Sequence, residues 1–201
     1  MSSKQNIGVI GSGSWATAIV KILSNNCDNI NWYFRNEMDV EYMKTNHHNP
    51  KYLSSVDFDL KKITFFTNVK ECISKSDIII LSIPSAFLHT SLKGIEENDF
   101  KNKLVFSAIK GIVPEYNLIV GEYLNTVYQV PFENIGVITG PCHAEEVAME
   151  KLSYLTIACS KISNAELLCT PFNCRYIKTT ASDDIYGTEL SAVLKNVIAV
   201  A

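Results

Sequence analysis

No apolar run in this 201-residue sequence reaches the roughly 18–20 residues that a membrane span requires. Met1-Ser2-Ser3-Lys4-Gln5 passes straight into an apolar segment, so no secretory leader is expected. Basic residues are not in excess: 18 Lys and Arg stand against 21 Asp and Glu, a net charge of −3. With a pI near 5.8 the chain lacks the positive footprint of a nucleic-acid binder. The six cysteines (Cys27, Cys72, Cys142, Cys159, Cys169, Cys174) form no Cys-x-x-Cys pair and keep no regular spacing. They read as reduced, packed thiols and not as a disulfide framework. Repeats, low-complexity tracts and long linkers are also missing. These absences point to a soluble cytoplasmic protein with no nucleic-acid partner and no membrane span. What is plentiful is hydrophobic side chain, 47% of residues, ample for a core.

Apolar, β-branched runs alternate with helix-like segments. Strands are expected at Ile30–Phe34, Ile63–Phe66, Ile78–Ile83, Leu104–Ala108, Ile135–Thr139, Leu155–Ala158 and Arg175–Lys178. Helices are expected near Met38–Thr45, Val69–Lys75, Ala86–Ile95, Tyr116–Thr126, Ala144–Glu150 and Asn164–Cys169. The alternation implies βαβ units, hence an α/β fold with a Rossmann-like, mainly parallel sheet and helices on both faces. Asn46–Asp59, the most polar and irregular segment, reads as an insertion over the sheet edge.

The most specific local signal lies at Asn6-Ile7-Gly8-Val9-Ile10-Gly11-Ser12-Gly13-Ser14-Trp15-Ala16. A short strand feeds a Gly-x-Gly-x-x-Ala turn, and a helical pattern follows at once, as in a dinucleotide-binding unit. Gly11 permits the tight turn and Gly13 lets a pyrophosphate approach the backbone. The helix start offers N–H groups and a positive dipole end. An NAD-selective site usually carries an acidic residue about 20 residues on, for the ribose hydroxyls. Here Arg35 ends the second strand instead. It can stack on adenine and pair with a 2′-phosphate, which fits NADPH or a relaxed preference, or it can simply be solvated.

Further along, Ile78–Ile83 ends in Pro84-Ser85, a turn expected to border the nicotinamide, because ligands sit beyond the carboxyl ends of strands. Lys110 follows the Leu104–Ala108 strand and is placed to hold a substrate carbonyl or phosphate. Thr139-Gly140-Pro141-Cys142-His143-Ala144 opens a helix that can hold an anion through backbone N–H groups. A Cys142–His143 nucleophile pair is disfavoured, since neighbours in sequence rarely face each other. His47-His48 lacks a second ligand cluster, so no metal is expected.

From Asp183 onward Ile185, Leu190, Val193, Leu194, Val197 and Ile198 keep helical spacing, with Ser182 or Asp183 as the N-cap. The pattern breaks off at Ala201 without a stop signal. The expected organisation is therefore a dinucleotide-binding domain at 1–181 and, at 182–201, the first helix of a truncated all-α domain. Lys195 on this helix has Ser191, Ala192 and Ala199 at i−4, i−3 and i+4, small neighbours that leave room for a ligand. Buried there, its pKa would fall and it could exchange a proton near neutral pH.

Taken together, Gly11–Ala18, Lys110-Gly111-Ile112, Gly140–Ala148 and Glu189-Leu190-Ser191-Ala192-Val193-Leu194-Lys195-Asn196-Val197-Ile198-Ala199 closely resemble NAD(P)-dependent glycerol-3-phosphate dehydrogenase of the bacterial type, over essentially the whole chain. The resemblance implies NAD(P)H-dependent interconversion of dihydroxyacetone phosphate and sn-glycerol 3-phosphate, which feeds glycerophospholipid synthesis. It implies cofactor contacts from Gly11, Ser12, Gly13, Ser14, Trp15, Arg35, Tyr52, Pro84, Lys110 and Ala144. Lys110, Gly140, Cys142 and Lys195 would form the substrate site, with Lys195 as proton donor on reduction and Lys110 assisting. A homodimer of the full-length protein is compatible with it. Cys142 departs from the family's usual Ser or Thr and offers only a weak thiol donor. Ile109 stands where a small hydroxyl residue is common, and Ala16 where glycine is. Family members continue into a helical domain that binds the substrate phosphate. The 201-residue chain is thus expected to bind dinucleotide but to turn over poorly. Two rivals are a different hydroxyacid-type dehydrogenase and a non-catalytic redox sensor; retention of both lysines argues against the sensor.

Overall fold

The computed structural model describes residues 5–198, with side chains through Leu194. The first unit is β1 (Ile7–Ile10), α1 (Ser14–Leu23) and β2 (Ile30–Tyr33), followed by α2 (Glu37–Asn46) and β3 (Ile63–Phe66). Then come α3 (Val69–Ser74), β4 (Ile78–Leu81), α4 (Ser85–Ser91) and β5 (Leu104–Ser107). A two-stranded hairpin, β6 (Ile112–Val113) and β7 (Leu118–Ile119), leads into α5 (Val120–Tyr128). The chain continues through β8 (Ile135–Thr139), α6 (Ala144–Ala148), β9 (Ser153–Cys159), α7 (Ile162–Phe172), β10 (Ile177–Ser182) and α8 (Ile185–Ile198).

The main sheet has the order β10-β9-β8-β5-β4-β1-β2-β3. Every pairing in it is parallel except β8 with β9. β1 lies between β2 and β4, so the chain leaves it in one direction across the sheet and later returns on the other side. A crevice opens at that reversal, beyond the carboxyl ends of β1 and β4.

Alternation along the strands divides the interior into two cores. In β4, Ile78 and Ile80 join the core under α1, α6 and α7, while Ile79 and Leu81 join the core under α3, α4 and α5. Side chains of successive strand residues point to opposite faces, so a strand apolar at every position must be covered twice. Trp32 is the largest fully buried side chain of the first core and packs against Phe34 and Phe58, with ring centroids 4.7 and 5.3 Å away.

Several elements differ from the sequence expectation for identifiable reasons. The helix expected from Tyr116 starts only at Val120, because Val113–Asn117 closes a turn in which Asn117 has φ 53°. The last strand runs from Ile177 to Ser182 and not from Arg175, since the Cys174 N–H closes a turn onto Ile177 O at 3.1 Å just before it. Its polar Thr179, Thr180 and Ser182 pair with β9 and so are held by a ladder that apolar patterning does not reveal. The cap of α8 is Asp184, whose Oδ1 accepts the Gly187 N–H at 2.8 Å, and not Ser182 or Asp183. The Asn46–Asp59 segment is more than a polar covering, because Asn49, Val56 and Phe58 are buried in it.

α8 lies against β8 and β9 and is tied to α5 by a buried acid. Glu189 is 1% exposed, and its carboxylate accepts the Gly121 N–H at 3.2 and 3.3 Å, at the start of α5. Burial outweighs these bonds and pushes its pKa up from 4.5 to about 7. A raised folded-state pKa means that the group's stabilising contribution is complete below about pH 4.5 and is lost as pH rises through about 7. The unaltered chain should therefore lose on the order of 2–3 kcal/mol from this group between pH 4.5 and 8. Glu189→Gln should flatten that decline, and thermal unfolding of both proteins across the range checks it.

Candidate active site

The loops at the carboxyl ends of β1, β4, β5 and β8 enclose a cleft of about 440 Å³. Gly13, Ser14 and Trp15 form one wall and Ser82 to Ser85 another; Ala108 to Lys110 and Cys142 to Glu145 complete it. Four separate strand ends thus bring Gly13, Ser14, Trp15, Pro84, Lys110, Cys142 and Ala144 to one cleft.

The backbone of the glycine turn explains its residue choice. Gly11 has φ +131°, and a Cβ on it would lie 2.2 Å from the Ser82 carbonyl oxygen. Gly13 has φ −74°, and a Cβ there would meet nothing within 4 Å. Gly11 is thus required by the chain itself, whereas Gly13 opens onto the cleft. That open space, in front of the N-terminus of a ten-residue helix, fits a bound pyrophosphate. Ala16 is fully buried, and its small side chain suits the tight packing of α1 on the sheet.

The carbonyls of this turn are held from behind. Trp32 Nε1 donates to Gly11 O at 2.8 Å, Asn49 Nδ2 to Ser12 O at 3.1 Å, and Thr17 Oγ1 to Gly13 O at 2.9 Å. Trp32, Asn49 and Thr17 were not singled out from the sequence. Nothing in a tryptophan on a strand or an asparagine in a polar loop signals a partner so far along the chain.

Lys110 Nζ lies 3.5 Å from Gly140 O and 5.9 Å from the centre of the Trp15 ring. The ammonium is thereby suspended between the glycine-turn helix and the turn after β8. Cys142 is 4% exposed and packs into the first core. His143 is exposed, and its backbone N–H donates to Glu146 Oε2 at 3.4 Å in the first turn of α6. Adjacent in sequence, the two side chains go to different environments. Ile109 is buried among the residues of the second core, which accounts for an apolar residue there.

Other expected residues lie elsewhere. Gly11 and Ser12 act behind the cleft wall through the carbonyl bonds just described. Arg35 is exposed, next to Asn36, whose side chain caps α2 by accepting the Met38 N–H at 3.0 Å. Tyr52 is exposed, and its N–H is held by Asn49 Oδ1 at 3.2 Å. Lys195 falls on α8, but its side chain lies outside the described residues.

Residues 6–165 match the model of the N-terminus of NAD-dependent glycerol-3-phosphate dehydrogenase. The chain belongs to this family. A glycerol-3-phosphate dehydrogenase [NAD(P)+] of Streptococcus agalactiae is 31% identical over 203 residues, covering 98% of this chain and 59% of that protein. One from Syntrophotalea carbinolica is 34% identical over 199 residues, with the same coverage on both sides. Among solved structures, glycerol-3-phosphate dehydrogenase of Plasmodium falciparum superposes with a TM-score of 0.87 at 25% identity, over 98% of this chain and 58% of that one. The chain thus spans about three-fifths of the length of these glycerol-3-phosphate dehydrogenases. Among the described residues, no helix is long and apolar enough to cross a membrane.

Proposed function

We propose that this chain binds NAD(P)H in the cleft at the carboxyl ends of β1, β4, β5 and β8. It serves there as the dinucleotide-binding part of an enzyme interconverting dihydroxyacetone phosphate and sn-glycerol 3-phosphate. The observation that carries this reading is the convergence of the open face of Gly13, the N-terminus of α1 and Lys110 on one cleft. Ser14 and Trp15 at the helix start and Ala144 on α6 are assigned to the dinucleotide, with Pro84 beside the nicotinamide. Arg35 and Tyr52 are assigned to its adenosine end. Gly140 and Cys142 are assigned to the substrate.

The bound dinucleotide supplies the hydride. Lys110 holds the substrate carbonyl oxygen and offsets charge that develops on it. Lys195 delivers the proton to that oxygen in reduction and accepts it in oxidation. This division assigns 1–181 to cofactor binding and 182–201 to the start of a helical substrate domain, in a cytoplasmic protein that dimerises at full length.

Titration with NADH and with NADPH, followed by nucleotide fluorescence, tests the reading. Saturable binding of at least one is expected. The absence of saturation by either up to about 1 mM, an affinity below that of ordinary cofactor sites, would overturn it. Arg35, with no carboxylate at the second strand's end, supports binding of both forms.

A further inference from the structure

Asn49 is 1% exposed and uses its whole amide. Its Nδ2 donates to Ser12 O at 3.1 Å and to Thr17 Oγ1 at 2.9 Å. Its Oδ1 accepts the N–H groups of Lys51 at 3.0 Å and Tyr52 at 3.2 Å. Two donors and two acceptors are the full capacity of a primary amide, and all are engaged inside the protein. Asn49 belongs to the Asn46–Asp59 insertion, whereas Ser12 and Thr17 belong to the glycine turn and α1.

The peptide plane gives these bonds a consequence. In a trans peptide the carbonyl of one residue and the N–H of the next point in opposite directions. No peptide among the described residues is cis. Fixing Ser12 O toward Asn49 therefore aims the Gly13 N–H the other way. Gly13 O accepts both the Thr17 N–H at 2.9 Å, the first bond of α1, and the Thr17 hydroxyl, itself held by Asn49, at 2.9 Å; together they aim the Ser14 N–H likewise. Gly13 and Ser14 line the cleft.

We propose that Asn49 is a positioning residue: through Ser12 O and the Thr17 hydroxyl it presets the Gly13 and Ser14 N–H groups toward a dinucleotide pyrophosphate without touching it. Donors fixed before the ligand arrives cost no reorganisation on binding, which is where their affinity comes from. The inference rests on the reading of the cleft as a dinucleotide site. It adds to that reading a function for the insertion, which holds Tyr52 and the phosphate turn through a single side chain.

The test compares the unaltered 201-residue chain with Asn49→Asp, Thr17→Val and Thr17→Ser by NADH fluorescence titration and thermal unfolding. Asn49→Asp keeps the acceptor toward Lys51 and Tyr52 but removes both donors. Its dissociation constant for NADH should rise about tenfold or more, as for loss of a fixed donor to an anion. Thr17→Val, nearly isosteric, should weaken binding in the same direction, and Thr17→Ser should restore what Val loses. Leu168→Ala, on α7 in the first core, should lower the melting temperature and, since Leu168 neither lines the cleft nor bonds the turn, leave the dissociation constant unchanged. Full NADH affinity in either Asn49→Asp or Thr17→Val overturns the proposal, as does a loss in Leu168→Ala equal to theirs. If the unaltered chain binds neither NADH nor NADPH, it is the reading of the cleft that fails.

Discussion

Gly11→Ala is expected to destabilise the protein by about 3–5 kcal/mol, a large share of the 5–15 kcal/mol that holds a typical domain folded. Two costs combine. The backbone at φ +131° is one that residues with a Cβ rarely adopt, and the added methyl would sit 2.2 Å from Ser82 O and 2.9 Å from Ser82 C. Neither side can give way easily. The Ser82 N–H is bound to Ile10 O at 2.9 Å as the β1–β4 pairing ends, and Gly11 O is bound by the buried Trp32 indole. Gly13→Ala provides the contrast. Its φ of −74° is ordinary and its Cβ would be in open space. Gly13→Ala should therefore melt near the unaltered temperature yet bind NADH weakly, because its methyl occupies the place of the pyrophosphate. Thermal unfolding together with nucleotide titration separates the two. A Gly11→Ala protein as stable as the parent would refute the account of the turn.

Lys110→Met is expected to lower kcat for dihydroxyacetone phosphate reduction by about 10²–10⁴, in a protein spanning the full length of the relatives. Lys195→Met should fall in the same range. The two ammonium groups are assigned different tasks on one oxygen, so each loss is large and the double variant should lose less than the product of the two. Thermal unfolding of Lys110→Met, measured alongside, separates a loss of stability from a loss of chemistry. The Nζ contact to Gly140 O at 3.5 Å is long, and its place 5.9 Å from the Trp15 ring centre is at the limit of a cation–π contact. Each of these two contacts is worth no more than about 1 kcal/mol. Steady-state kinetics combined with NADH binding gives the answer. A Lys110→Met enzyme with kcat within about twofold of the parent would remove Lys110 from the chemistry.

Much of this protein follows from local sequence. The strand–turn–helix of Ile7–Leu23, the all-apolar β4 and the alternation of strands with helices require only short-range patterning and the need to cover a sheet on both faces. The residues of Gly11–Ala16 and the Lys110 and Gly140–Ala144 turns were legible for the same reason, since each is a strand end running into a defined turn. The tertiary structure decided what depends on partners far along the chain. Thr179–Ser182 becomes a strand only because β9 supplies a ladder, and the antiparallel β8–β9 pairing has no short-range signature. The Asn46–Asp59 segment looked like polar covering until Asn49 closed on Ser12 and Thr17, 37 and 32 residues away. Glu189 resembled any helical acid until burial against Gly121 displaced its pKa. Periodicity tells which face of an element is buried, but a buried polar group is defined by its partner, and the fold alone brings that partner within hydrogen-bonding distance.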